Sequence, residues 1–172
     1  MKRVCFNKKA DAGVGMSFSM IFAIILMVFF VAVAVMVISS IIKTQNCVKV
    51  SMFVDDFKTK INDAWNSQRK SFDYNGILPS NLEMVCFVNI SEPFIGPNKD
   101  VAKEYVYFKY DDPNMIFYPK GKACTIPYHK ILHLDISDLI KKENPYCFNV
   151  NDGSVVIKID KGFTQKFVKI SR

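Results

Sequence analysis

Residues 12–42 contain no Asp, Glu, Lys, Arg or His, and residues 16–75 contain neither Gly nor Pro. The first absence excludes a solvated surface segment, because an uncharged run of this length has nothing to offer water. The second excludes tight turns and predicts one long helix or two in series. All seven prolines come after residue 78. Histidine is also scarce, with only His129 and His133, and the seven glycines are scattered. No Gly-rich loop is present to cradle a phosphate, and no G-x-S-x-G presents a serine nucleophile. From these absences no enzyme activity and no cofactor are expected.

The uncharged run decides where the chain sits. Its 31 residues would reach about 46 Å as a helix, against a hydrocarbon core of about 30 Å that needs about 20 residues. Residues 18–42 include 16 of Ile, Leu, Phe or Val. Near a bilayer centre these favour insertion by roughly 5–10 kcal/mol in total. A cleaved secretory signal would have a shorter apolar region ending at a small-x-small site. Ala32-Val33-Ala34 supplies the small residues, but residues 35–38 and Ile41-Ile42 continue the apolar run beyond it. A retained anchor is therefore expected, with the lipid bilayer as partner. Lys2, Arg3, Lys8 and Lys9 precede the span and Lys43 and Lys49 follow it. The richer basic flank stays inside, which predicts a single-pass plasma-membrane protein, N-terminus cytoplasmic and residues 43–172 extracytoplasmic. From Lys43 onward the chain has 19 basic and 15 acidic residues. They alternate as on a solvated surface, so nucleic-acid binding is not expected.

Cys47, Cys86, Cys124 and Cys147 all fall in the exported part. An even number in an oxidising setting predicts two disulfides, with three possible pairings. The shortest loop favours Cys124–Cys147 and leaves Cys47–Cys86; four reduced, buried thiols are the alternative.

The organisation follows from periodicity. Val50, Phe53, Val54, Phe57, Ile61, Ala64 and Trp65 recur at three- and four-residue steps, with Asp55, Asp56, Lys58, Lys60 and Asp63 mostly filling the other face. That amphipathic stripe must be covered, either by the rest of the domain or by the membrane surface. From residue 82 the period falls to two, predicting a half-buried strand over 82–90. Residues 104–110 and 115–118 read as a hairpin across Asp111-Asp112-Pro113-Asn114, and 128–136 as one strand. Ser137 caps a short helix over 138–142 that Pro145 ends. Residues 146–150 and 155–159 form a hairpin about Asn151-Asp152-Gly153, and 167–170 close the sheet. The expected fold is α+β: a basic leader (1–15), a transmembrane helix (16–42) extended into an amphipathic helix (43–70), and a β-rich extracytoplasmic domain (71–172) whose mostly antiparallel sheet covers the helix.

Lys8-Lys9-Ala10, then Asp11, then the apolar residues 16–42 give a layout that resembles type IV pilins and their archaeal relatives with class III signal peptides. The resemblance covers residues 1 to about 65 and implies cleavage before the apolar helix, between Ala10 and Asp11, with the helix serving as anchor and then as fibre core. Two positions depart from the archaeal pattern. Asp11 stands where Gln is usual after the cut, and Gly15 stands where many pilins carry a Glu that aids subunit registration. Apart from the resemblance, Gly15, Ser19 and Ala23 recur every fourth residue and would form a small-residue seam through which membrane helices self-associate.

Other chemistry has candidates. Cys124, His129, His133 and Cys147 are the residue types of a zinc site, but two histidines four apart on one strand lie about 13 Å apart. Cys124 with His129 would make a nucleophile–base pair, and Asp55-Asp56 or Asp111-Asp112 could hold calcium. Asn89-Ile90-Ser91 is a glycosylation acceptor. Tyr105, Tyr107, Phe108, Tyr110, Phe117, Tyr118 and Tyr128 suit either sheet packing or a recognition face. The function expected is a membrane-anchored extracytoplasmic protein with a structural or interaction role, in its sharper form a pilin-like subunit or accessory component. The alternatives are a solitary envelope-anchored binding module and an exported enzyme or metal-binding domain centred on His129 and His133.

Overall fold

The computed structural model describes residues 18–124 and 126–172. Its first element, α1, is one helix of 48 residues, Phe18–Trp65. The chain divides into two compact units at Ile41 and Ile42, and α1 contributes to both. In the first unit every described side chain is exposed. By length and composition, this part of α1 can cross a membrane.

In the second unit α1 changes character. Val50, Phe53, Val54, Phe57, Ile61 and Ala64 are buried, while Asp55, Asp56 and Asp63 are exposed. The stripe is covered by the domain, as its period requires. Phe57 lies 5.3 Å from Tyr74 and 5.9 Å from Phe87 between ring centroids, and Phe53 lies 5.9 Å from Phe117. At about 1.5–3 kcal/mol per large apolar side chain buried, this stripe is a major share of the core. Trp65, counted in the stripe from the sequence, remains 38% exposed. The helix ends at Trp65, short of the expected residue 70.

Among the described residues, eight strands form two four-stranded sheets, where one sheet is expected from the sequence. The strands are β1 (Lys70–Ile77), β2 (Met84–Phe87), β3 (Met115–Tyr118), β4 (Tyr128–His129), β5 (Leu134–Asp135), β6 (Tyr146–Asn149), β7 (Ser154–Lys161) and β8 (Val168–Ser171). The first sheet has the order β1-β7-β8-β5 and the second β4-β3-β2-β6. Every ladder is antiparallel except β5 with β8. The short helices are α2 (Lys99–Lys103) and α3 (Ser137–Ile140).

One core joins the α1 stripe to Tyr74 of β1, Ile157 and Ile159 of β7, and Val85, Phe87 and Phe117 of the second sheet. A smaller core lies on that sheet's other face, where Cys86, Val88, Ile116 and Cys147 meet Val101, Ala102 and Tyr105. The second sheet is thus covered on both faces. For that reason residues 85–88 are all buried and do not alternate as a half-buried strand would.

Three local expectations fail for identifiable reasons. Residues 104–110 are not a strand: Val106–Asp111 is a 3₁₀ segment, ended by Asp112 in the left-handed region at φ 43°. The stretch 128–136 is not one strand either. His133 has φ 62°, and the break it marks sends β4 to one sheet and β5 to the other. The turn at Asn151-Asp152-Gly153 does form, with Asn151 and Ser154 exchanging backbone hydrogen bonds and both central residues at positive φ. Its flanking strands then part, β6 pairing with β2 and β7 with β1 and β8.

Candidate functional site

The cysteines pair as Cys47–Cys124 and Cys86–Cys147. This corrects the expected Cys124–Cys147 and Cys47–Cys86 and keeps the expected number of bridges. Antiparallel register sets Cys86 of β2 directly opposite Cys147 of β6, with Cα atoms 4.0 Å apart. Cys124, in the segment after β3, returns to Cys47 on α1 at a Cα separation of 5.4 Å. Loop length is a weak guide because closure entropy grows only logarithmically. Closing across 61 residues rather than 23 costs only about 1 kcal/mol more.

The same bridges take apart the zinc candidates. Cys124 and Cys147 belong to different disulfides, and His129 ends β4 whereas His133 lies at the break before β5. Among the described residues no group of three His, Cys, Asp or Glu side chains could hold a metal ion. Cys124, its sulfur bonded to Cys47, offers no thiolate to His129. His129 packs edge-on to Phe117 at 5.9 Å. Burial lowers its pKa below the ordinary value, Lys58 adds to that shift and Asp55 opposes it, so the ring is neutral at pH 7. His133 instead stacks flat on Trp65, with ring centroids 3.7 Å apart and planes 9° from parallel.

The aromatic cluster divides between core and surface. Tyr105 and Phe117 are core, and the Tyr105 hydroxyl donates to the Phe117 carbonyl oxygen. Phe108 packs on Tyr128 at 4.4 Å beneath the Lys120 ammonium. Tyr107 and Tyr110, by contrast, stand 89% and 101% exposed on the 3₁₀ segment. The calcium candidates Asp111 and Asp112 are engaged elsewhere: Asp111 accepts from the Tyr128 hydroxyl at 2.7 Å, and Asp112 pairs with Lys130 at 2.5 Å.

A cleft of about 330 Å³ opens beside that ion pair, lined in part by Asn89, Glu92, Asp112, Lys130, Asp135 and Ser137. Its polar groups are largely bonded within the chain. Asn89 donates to Glu92 and accepts from the Ser91 backbone N–H, and Asp135 accepts from both the N–H and the hydroxyl of Ser137. The Ser137 bonds hold the Asp135 carboxyl below the usual carboxylate range. Asn89, the glycosylation candidate, is half-buried with its amide nitrogen turned to Glu92.

Two residues that matter here are not singled out by the sequence. Buried Asn114 uses both ends of its amide on one backbone residue, donating to the Ile131 carbonyl at 2.8 Å and accepting from its N–H at 2.7 Å. Buried Asn144 accepts from the Asn89 N–H at 3.1 Å and donates to the Asn89 and Pro93 carbonyls. Each amide stands in for a strand neighbour that the irregular chain lacks. The only sequence signal was the neighbouring proline, which marks a turn but not the direction of a side chain.

Of the proposed helix seam, Ser19 and Ala23 are exposed on α1. Gly15 lies outside the described residues, as does the cleavage pair Ala10 and Asp11. Compared with known proteins, the chain matches no family model, no curated protein and no solved structure.

Proposed function

We propose that the chain is a single-pass membrane protein whose C-terminal domain lies outside the membrane and serves a structural or interaction role rather than catalysis. One observation carries this reading: a single unbroken helix is apolar and exposed all round up to Ile42, then buries one stripe from Val50 to Ala64 in a folded domain. The first half suits lipid and the second suits a protein core. Two disulfides support an oxidising location for the domain. The basic residues before the span support an inside N-terminus, and the plasma membrane is the compartment that fits both.

Within that reading the sharper form is a pilin-like subunit or accessory component, and the anchor helix self-associates through the face bearing Ser19 and Ala23. A long N-terminal helix packed on antiparallel sheets favours it. The second form is a solitary anchored binding module, favoured by the exposed Tyr107 and Tyr110. Carbonate extraction of membranes tests the anchor, since a protein released to the supernatant refutes it. Mass spectrometry of the mature N-terminus separates the two forms: a chain beginning at Asp11 supports the pilin-like form, and one retaining residue 1 supports the plain anchor.

A further inference from the structure

Asn89 is the only one of the chain's twelve asparagines with Ser or Thr two positions on, in Asn89-Ile90-Ser91, so a glycan here has one possible address. It stands in the irregular segment between β2 and α2. The Asn144 amide holds its backbone at both ends, accepting from the N–H at 3.1 Å and donating to the carbonyl at 2.9 Å. The side chain is set locally. Asn89 Oδ1 accepts from the Ser91 N–H at 2.9 Å and closes an Asx turn. Asn89 Nδ2 gives one hydrogen to the Glu92 carboxylate at 3.3 Å and has a second. Ser91, Glu92 and Pro93 are exposed, so the turn faces solvent. Asn89 also lines the cleft of about 330 Å³ beside the Asp112–Lys130 pair. The apolar lining of that cleft includes buried Ile140 and half-buried Leu134 and Ile136. Asp112, Lys130 and Ser137 are exposed along it. Asp112 and Lys130 spend one acceptor and one donor on each other and keep the rest.

We propose that Asn89 carries an N-linked glycan whose first sugar seats in this cleft. A sugar ring divides as the cleft does, with C–H groups for an apolar wall and hydroxyls for a polar rim. The donor is a lipid-linked oligosaccharide. In the transfer Asn89 Nδ2 bonds to C1 of the sugar, and the C1–O bond to the lipid phosphate breaks with its electron pair going to the phosphate oxygen. One amide proton leaves to a base of the transferase, and the remaining N–H stays available to Glu92. The turn is built from residues 89–91 alone, so it is accessible to a transferase before the domain closes. This inference rests on the exported location proposed above, because the transfer takes place on that side of the membrane.

A glycopeptide map of the full chain purified from its own cells is the test. Trypsin releases residues 71–99 as one peptide, which holds this sequon and no other. The expected result is a 71–99 peptide heavier by a glycan, with sugar fragment ions and the added mass assigned to Asn89. Ser91→Ala keeps the backbone N–H that closes the turn and should abolish the added mass, whereas Ser91→Thr should retain it. Added mass that survives Ser91→Ala overturns the proposal, as does an unmodified peptide in the native chain. Carbonate extraction of the same cells keeps the two readings apart. An unmodified peptide in protein that stays with the membrane leaves the anchor standing and removes the glycan, whereas an unmodified peptide in released protein removes both. The seating has its own readout in Lys141, an exposed lysine that lines the cleft. Its acetylation by an N-hydroxysuccinimide ester should be slower in the glycosylated protein than in the Ser91→Ala protein, and equal rates remove the cleft from the proposal.

Discussion

A single added methyl group at Gly76 tests whether the α1 stripe is locked into the sheet as described. Gly76 lies within β1, opposite Val155. A Cβ at this position would come within 2.2 Å of Phe53 Cε2, 2.6 Å of Phe53 Cδ2 and 2.9 Å of Tyr74 Cε1. The glycine is required by space here, since its backbone is not among the positive-φ positions. Relief depends on whether the Phe53 ring can move. It is 2% exposed, parallel to Phe57 at 5.9 Å, and in contact with Tyr74 and Phe117 at 5.8 and 5.9 Å. A ring held by three other rings has no empty rotamer to enter. Gly76→Ala should therefore cost about 1–3 kcal/mol, the usual range for overpacking.

The decisive measurement is a double-mutant cycle. Phe53→Leu removes the ring edge that the methyl group would strike and alone should cost about 1–3 kcal/mol through lost packing. In the double mutant the leucine accommodates the new methyl, so the combined loss should fall short of the sum by at least 1 kcal/mol or so. Guanidinium unfolding of the full chain in detergent, followed by aromatic circular dichroism, reads the difference, provided the denaturant slope is unchanged. Losses additive within about 0.5 kcal/mol would show that Gly76 and Phe53 do not meet, and the register of β1 against α1 would then be wrong.

The remaining predictions use the bridges, the buried histidine and the amide clamps. A non-reducing peptide map should join Cys47 to Cys124 and Cys86 to Cys147; a peptide joining Cys124 to Cys147 refutes the topology, and replacing Cys86 and Cys147 together by Ser should cost about 2–5 kcal/mol. Burial, then Lys58, holds His129 below its ordinary pKa of 6.5. The unfolded chain therefore takes the proton first, so this contribution is full above about pH 6.5 and is lost as pH falls through the lower folded value. His129→Gln should flatten the stability profile below that point, and an unchanged slope would refute the assignment. Asn144→Ala should cost about 1–3 kcal/mol for each buried backbone group it leaves without a partner, and hydrogen exchange at the Asn89 amide should accelerate.

The parts of the fold legible in the sequence are those written as long periodic signals. The four-fold recurrence from Val50 to Ala64 predicts both the helix and its buried face, because burying a stripe of that width leaves few alternatives. The absence of Gly and Pro over residues 16–75 matches one continuous helix, although that stretch also contains most of β1, whose Lys70, Ser71, Asp73 and Asn75 carry no strand signature. Short elements are decided elsewhere in the molecule. Two-residue strands such as β4 and β5 exist only because another strand lies beside them. Alternation over 82–90 gives the strand but overlooks the second cover, since the residues that bury Cys86 and Val88 come from α2 and Tyr105, more than ten positions away. The bridges fail for the same reason: register between β2 and β6 is a tertiary fact, and the small entropy advantage of a short loop cannot outweigh it.

Ile42 to Val50 is where the two patterns of α1 meet. Up to Ile42, α1 shows apolar side chains in every direction and is long and apolar enough to cross a membrane. From Val50 to Ala64, six of fifteen residues are buried and the rest, Met52 apart, are charged or polar, a pattern that suits protein on one side and water on the other. Between them Lys43, Thr44, Gln45 and Lys49 belong to neither, and that is where Cys47 takes its bridge. A helix end at such a boundary would leave backbone groups to be capped. Continuing the helix through it satisfies every backbone bond internally, and the disulfide then gives the boundary turn a fixed partner without requiring it to be hydrophobic. The domain's core is completed by side chains from the second half of α1, so a substitution at Phe53 or Phe57 acts on the fold of the domain, whereas Phe29 and Phe30 are exposed on the apolar half and lie outside that core.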